Sequence, residues 1–221
     1  MESCLQRNGI SGNLSKGNRE KVAGVILAAG GSSRFGSLKQ TLPWGDQNFV
    51  NAVLKTARLA GLDPLLIVLG NRAEEVRDTI TDEDVEILIN PDWEAGQSSS
   101  LKLAVKHLDT DLTGAIFLMC DQPHLTVHFL ASIVEKGKKS AKVVVPYIND
   151  RRTSPVFFPA SCFDNFNKLT GDEGGMQIMS ECPVVLFPWL DEMMAMDIDT
   201  LEDYRRVSEY FGKPYSPDDI V

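Results

Sequence analysis

Val22-Ala23-Gly24-Val25-Ile26-Leu27-Ala28-Ala29-Gly30-Gly31-Ser32-Ser33-Arg34-Phe35-Gly36-Ser37-Leu38-Lys39 is the stretch on which the reading of the fold turns. Val22 to Ala29 is almost continuously apolar, the pattern of a strand buried on both faces in a parallel sheet. The glycine loop follows at once, at the carboxyl end of that strand, where open α/β sheets bind ligands. Glycines let main-chain N–H groups approach phosphate oxygens, and Arg34 and Lys39 add positive charge, so the loop reads as a triphosphate cradle. It carries neither GxxxxGK[ST] nor GxGxxG, which excludes the two common phosphate motifs. A bare Gly/Ser loop of this kind also serves as a simple turn into a helix; the two basic residues and the preceding strand favour the ligand-binding reading.

Outward from this stretch, Leu65 to Leu69, Glu86 to Ile89, Ala115 to Met119 and Lys142 to Val145 are further short strand candidates. Between them Phe49 to Ala60, Ala73 to Ile80, Ser99 to His107 and Val127 to Lys138 carry helical signals, the last opened by Thr126 as N-cap. The alternation predicts a Rossmann-like, three-layer α/β/α sheet, mostly parallel. It weakens after about Pro146, where Arg151, Arg152, Pro155, Gly171, Gly174 and Gly175 interrupt shorter elements, so this half reads as a substrate-shaping lobe. A single domain is expected over residues 21–221, with a nucleotide-binding part at about 21–146 and an acceptor-side part at about 147–221. Residues 1–20, polar and rich in Gly, Asn, Ser and Lys, read as a disordered extension.

The 221 residues hold 22 Lys and Arg against 31 Asp and Glu, a formal charge of -9 that opposes nucleic-acid backbone binding and leaves any anionic ligand to a local site. No apolar run approaches the roughly 18 residues of a membrane span, so no membrane partner is expected. Cys4, Cys120, Cys162 and Cys182 form no CxxC, and reduced thiols in a cytoplasmic protein are expected. His124 and His128 have the i, i+4 spacing of a helical zinc pair, but Pro123 and Thr126 place His124 ahead of the helix. Trp44, Trp93 and Trp189 are isolated and read as packing residues.

Two carboxylates suit a metal. Asp121 ends the apolar run Ala115 to Cys120, which puts it at the sheet edge of the glycine loop. Asp199 follows Met196-Asp197-Ile198, read as another strand end, with capping of the helix at Thr200 as its alternative role. Gly96 and the serines at 98 to 100 precede a helix, so they either cap it or present N–H and hydroxyl groups to a nucleotide.

Leu27-Ala28-Ala29-Gly30, Ser33-Arg34-Phe35-Gly36 and Lys39 together resemble the signature loop of the molybdenum cofactor nucleotidyltransferases and their sugar-nucleotide relatives. Gly96-Gln97-Ser98-Ser99-Ser100-Leu101, Asp121-Gln122-Pro123, Gly171-Asp172-Glu173-Gly174 and Asp197-Ile198-Asp199-Thr200 resemble further motifs in the family's order, over about residues 22 to 207. The resemblance implies Mg²⁺-dependent transfer of a nucleoside monophosphate from an NTP to a phosphorylated small molecule, with release of pyrophosphate. It implies catalytic roles for Arg34, Lys39 and Asp121. Nucleotide binding would fall to Leu27, Ala28, Ala29, Gly30, Gly31, Ser32, Ser33, Arg34, Lys39, Gly96, Ser98, Ser99, Ser100 and Asp121. Asp121 and Asp199 would hold the metal, with Asp197 a third candidate. Gln122, Pro123, Arg151, Ser154, Pro155, Asp172 and Gly174 would form the acceptor side. By their chemistry Arg151 and Arg152 either hold an acceptor phosphate or a pterin or form a solvated turn.

Leu-Ala-Ala-Gly, where guanylyl members have Leu-Ala-Gly-Gly, is similar to the cytidylyl branch and implies CTP as donor and molybdopterin as acceptor. Thr153-Ser154-Pro155 stands where the family often has Gly-His-Pro or Gly-Asn-Pro, and Cys120 where it usually has Gly, two departures on the acceptor side. A transient molybdoenzyme or chaperone partner is also implied. The alternatives are a cytidylyl- or guanylyltransferase acting on another phosphorylated metabolite, including an isoprenoid-precursor enzyme, and a catalytically silent nucleotide-binding regulator. Asp121-Gln122-Pro123 argues against the isoprenoid enzyme, and retention of Arg34, Lys39, Asp121 and Asp199 together argues against the regulator.

Overall fold

Seven residues buried without interruption, Val22–Ala28, form β1 of an eight-stranded sheet. The computed structural model describes residues 21–31 and 38–213; the expected N-terminal extension and Ser32, Ser33 and Arg34 lie outside the described residues. In chain order the remaining strands are β2 (Pro43–Trp44), β3 (Gln47–Asn48), β4 (Leu65–Leu69), β5 (Glu86–Ile89), β6 (Gly114–Met119), β7 (Val143–Ile148), β8 (Arg151–Arg152), β9 (Val156–Pro159) and β10 (Val184–Pro188). The α-helices are α1 (Phe49–Leu59), α2 (Ala73–Arg77), α3 (Gln97–Lys106), α4 (Val127–Ser140) and α5 (Leu201–Tyr210).

The sheet order is β10-β7-β9-β6-β1-β4-β5, with β8 on β7, while β2 and β3 form a separate hairpin. β1 pairs in parallel with β4 and β6, β4 with β5, and β7 with β10; β9 runs antiparallel between β6 and β7. This is the expected mostly parallel three-layer architecture. Alternation along β1 sends Val22, Ile26 and Ala28 into the layer of α1, α4 and α5. Ala23, Val25 and Leu27 enter the opposite layer, with α3 and the 3₁₀ segments Ala160–Lys168 and Gly175–Glu181. Ile26 and Ile67 are wholly buried, each contributing about 1.5–3 kcal/mol. Among the described residues no helix is long and apolar enough to cross a membrane.

Helix starts follow local chemistry. Thr126 accepts a hydrogen bond from the Phe129 N–H, as expected, and Asn48 does the same for Asn51 N–H at α1. α2 is shorter than expected, ending at Arg77 with Asp78 as its C-cap. The Thr79 carbonyl is taken instead by Asn51 Nδ2 at 2.7 Å, which draws the chain off the helix path.

After Pro146 the elements are short, as expected, with β8 of two residues and β9 of four, yet both join the main sheet together with β10. Two expectations need correction. Met196-Asp197-Ile198 forms no strand, because one backbone bond, Ile198 N–H to Asp121 O at 3.1 Å, holds it in place of a ladder. The cysteines are not all free: Cys162 and Cys182, brought within 6.3 Å between Cα atoms by the two 3₁₀ segments, are joined as a disulfide. Cys120 is the buried free thiol among the described residues, and burial pushes its pKa up.

His124 sits in the core against Trp44 and Phe211, with Nε2 hydrogen-bonded to the Met193 carbonyl at 2.9 Å and Nδ1 without a partner. Burial lowers its pKa from 6.5 to about 4, against the Met193 bond and the charge of Asp191. The unfolded chain therefore binds the extra proton first, and this group's stabilisation, complete above pH 6.5, is lost as pH falls toward about 4. The expected result is that wild type loses about 3 kcal/mol more than His124→Gln between pH 7 and pH 4 in denaturant titrations. Parallel pH profiles for the two proteins would show that His124 titrates normally.

Candidate active site

The carboxyl ends of β1, β4, β5 and β6 open on one edge of the sheet, and the chain chemistry there is polar. Cys120 N–H donates to Leu27 O at 3.1 Å, Asn71 N–H to Ala29 O at 3.2 Å and Asn90 N–H to Leu69 O at 2.8 Å. These bonds continue the ladders one step past the strands, so the glycine loop and Asp121 start from neighbouring, rigid positions.

Gln40, buried, donates from Nε2 to Ala28 O at 2.9 Å and to Gly30 O at 3.0 Å. It ties the far side of the loop back to the strand from which the loop leaves, and so places Lys39 over the sheet edge. Lys39 Nζ then donates to Asp121 Oδ2 at 2.9 Å and to Asp199 Oδ1 at 2.8 Å. Burial works against the ammonium, but the charge of Asp121 and the hydrogen bonds to both carboxylates outweigh it and raise the Lys39 pKa above its ordinary value.

Asp199 reaches this point because the segment before α5 is pinned twice, by Ile198 N–H on Asp121 O and by Gln122 Nε2 on Asp197 Oδ1 at 2.9 Å. Thr200, not Asp199, caps α5, in a capping box with Asp203. The cap being filled, the Asp199 carboxylate is left to face Lys39. Burial, followed by the charges of Asp121 and Asp199, pushes the Asp197 carboxyl up to about 6, against Lys39 and the Gln122 hydrogen bond.

Two carboxylates meeting one ammonium define a single cationic point. Asp121 Oδ1 is buried with no hydrogen-bond partner among the described residues, a lone oxygen that a hard cation would satisfy. No group of three or more His, Cys, Asp and Glu among the described residues is placed to hold a metal. With its unpartnered oxygen on Asp121, the pair would suit an ion that takes one or two protein carboxylates and completes its shell from substrate oxygens and water, as Mg²⁺ does.

Beside this point lies a cleft of about 370 Å³ lined by Leu27, Ala29, Gly30 and Gly31, by Trp93, Glu94, Gly96, Gln97 and Ser100, and by Met119 and Asp172. Ala28 instead turns its side chain into the opposite layer and offers only its carbonyl to Gln40. Helix α3 begins at Gln97, so Gly96 takes the capping position, with φ +99 and no side-chain cap. A Cβ there would meet the Gly171 carbonyl carbon at 2.3 Å, and Ser98 N–H donates to Gly171 O at 3.1 Å. Gly96 and the 171–174 turn thus pack backbone to backbone. Asn90 Nδ2 holds Ser99 Oγ at 2.8 Å and Ser100 Oγ at 2.9 Å, and Ser99 Oγ donates to Gly96 O at 2.8 Å. Ser100 lines the cleft, while Ser98 and Ser99 brace its floor.

A second cavity, of about 610 Å³, is lined by Arg151, Arg152, Thr153 and Ser154, by Asp197, and by residues of the segments around Met193 and Arg206. Gln122, Pro123 and Pro155 are buried and do not line it; Gln122 reaches it through its hydrogen bond to Asp197. Asp172 and Gly174, expected with Arg151, lie at the glycine-loop cleft instead: Asp172 lines it, and a Cβ on Gly174 would approach Gln97 Oε1 to 2.7 Å. The reason is the Gly96–Gly171 contact, which folds that turn toward α3.

Sequence reasoning missed the loop-tying role of Gln40 and the cleft position of Trp93. The signal for Gln40 was its place beside Lys39. For Trp93 it was the site between β5 and α3, at the carboxyl end of a strand.

Among curated proteins, the chain is similar to purine catabolism protein PucB of Bacillus subtilis, 29% identical over 84% of this chain and 95% of that protein. Nicotine blue oxidoreductase of Paenarthrobacter nicotinovorans is 28% identical over 84% and 96%. Molybdenum cofactor cytidylyltransferase of Escherichia coli is 28% identical over 62% and 70%. Among solved structures, Rv0371c of Mycobacterium tuberculosis superposes with a TM-score of 0.76, at 30% identity over 86% of this chain and 98% of that one. A structure of Rv0371c in complex with manganese gives 0.73, at 28% identity over 87% and 100%. The family model of the MobA-like NTP transferase domain matches residues 24–185, from β1 through Asp121 into β10. With the glycine-loop cleft, Lys39 and Asp121 all inside the matched span, the chain belongs to the MobA-like NTP transferase family.

Proposed function

We propose that the chain is a magnesium-dependent nucleotidyltransferase that moves CMP from CTP onto the phosphate of a molybdopterin-type acceptor and releases pyrophosphate. The observation that carries this reading is the convergence of Asp121 and Asp199 on one cationic point beside the glycine-loop cleft. The similarity to molybdenum cofactor cytidylyltransferase supports the donor and acceptor, and the manganese complex of Rv0371c supports a divalent ion.

Mg²⁺ held by Asp121 and Asp199 would neutralise charge on the α-phosphate and its leaving group. Gly30 and Gly31 leave room for phosphate oxygens at the main chain, and Lys39, held protonated, supplies a fixed positive charge beside them. The methyl of Ala29 takes up cleft volume that a glycine would leave open, which suits a one-ring base. Gln122 fixes Asp197 at the border of the second cavity, where Arg151 and Arg152 await an anionic acceptor. An acceptor phosphate is already ionised, so its oxygen attacks the α-phosphorus in line without a strong general base, and catalysis is mainly positioning and electrostatics.

A panel of NTPs with Mg²⁺ and molybdopterin, scored by pyrophosphate release, tests the reading. CTP is expected to exceed GTP in kcat/KM by at least about tenfold, since a cleft that hydrogen-bonds one base leaves polar groups unpaired with the other. Ala29→Gly should narrow the gap. Preference for GTP would overturn the cytidylyl assignment; nucleotide binding with no pyrophosphate from any phosphorylated acceptor would leave a silent regulator.

Asp121→Asn is expected to fold, because asparagine keeps an oxygen to accept from Lys39 Nζ and the other carboxylate oxygen is unpartnered. Its kcat should fall at least about a hundredfold, or about 2.7 kcal/mol. Near wild-type turnover in a folded variant would remove Asp121 from the metal site.

A further inference from the structure

The described residues contain seven arginines. Four are engaged in ion pairs: Arg58 with Asp82, Arg72 with Glu75, Arg77 with Glu74 and Arg205 with Glu202. The other three, Arg151, Arg152 and Arg206, have no carboxylate partner among the described residues, and all three line the same 610 Å³ cavity. Two carboxylates, Glu192 and Asp197, also line the cavity, yet neither forms an ion pair with these arginines among the described residues.

The three guanidiniums come from two elements. Arg151 and Arg152 form β8, held on β7 by the register Ile148 to Arg151 and Tyr147 to Arg152, and Arg206 comes from α5. Cations brought to one cavity from two elements repel each other, a cost that folding alone does not require. Each guanidinium presents a planar fork of N–H donors suited to two oxygens of one anion. Asp197, tied to Gln122 beside the Asp121 and Asp199 pair, closes the cavity toward the reacting centre. Met176, Met193 and Met196 supply a soft apolar wall that adapts to a flat, polarisable body.

We propose that Arg206 completes, with Arg151 and Arg152, an anion clamp that selects an acceptor bearing a phosphate monoester on a flat apolar body. Arg206 is thus a specificity residue for the acceptor, outside the 24–185 span matched by the family model. The proposal rests on the nucleotidyltransferase reading for the role of this cavity, and not for its ability to bind an anion.

The probe is inorganic phosphate, titrated by calorimetry into protein saturated with Mg²⁺ and α,β-methylene CTP, so that the nucleotide cleft is filled. Wild type should bind phosphate, Arg206→Gln should bind it about tenfold more weakly, and Arg206→Lys should recover part of the loss. Affinity for the CTP analogue and the melting temperature should stay at wild-type values, which a merely structural role for Arg206 would not allow. Equal phosphate affinity in wild type and Arg206→Gln, or no phosphate binding by wild type, overturns the clamp. Arg152→Gln should weaken phosphate in the same direction, and an unchanged value would remove β8 from it. Should wild type fail to bind the CTP analogue while phosphate still distinguishes Arg206→Gln, the nucleotidyltransferase reading falls and the clamp stands.

Discussion

The ammonium of Lys39 lies 2.9 Å from Asp121 and 2.8 Å from Asp199, and three parts of the chain far apart in sequence meet through it. One is the exit of the glycine loop, one the end of β6, one the segment before α5. The Asp121 carboxylate is largely buried and would be costly there without a positive partner, whereas that of Asp199 is half exposed. The shared ammonium draws the segment before α5 to the end of β6. The two backbone and side-chain pins at Ile198 and Gln122 then make the position rigid.

The sheet makes the meeting possible. With β1 between β4 and β6 in parallel register, the chain leaves three neighbouring strands at the same edge, and the loops that follow face one another. On one side Gly96 lies too close to the Gly171 backbone to carry a Cβ, and the 171–174 turn comes over the glycine-loop cleft. On the other side β8 carries Arg151 and Arg152 to a cavity bordered by Asp197. In the proposed reaction the donor would take the glycine-loop cleft and the acceptor the arginine-lined cavity.

Where hydrophobic pattern decided the matter, the sequence was legible. β4 and β5 begin and end as read, and Thr126 caps α4, because apolar runs and a capping hydroxyl act locally. Asp121 could be placed at the sheet edge by its position after an apolar run. Asp199 could not be separated from a capping role by pattern alone; only the structure shows Thr200 filling the cap. The Cys162–Cys182 pairing depends on how two 3₁₀ segments fold against each other, which no spacing rule reveals. Arg206 is the hardest case. It adjoins Arg205, which pairs with Glu202 one turn away, and nothing in the local sequence says that one guanidinium is spent on the helix surface while its neighbour faces a cavity.

The claim at the centre of this account is that Asp121 and Asp199 share one divalent cation with bound nucleotide. Electron paramagnetic resonance titration of Mn²⁺ in the presence of α,β-methylene CTP measures it directly. The account predicts one tight Mn²⁺ site per chain, weakened at least about tenfold in both Asp121→Asn and Asp199→Asn, with the two losses failing to add in the double variant. Unchanged Mn²⁺ affinity in the folded single variants, or fully additive losses, would contradict a shared site.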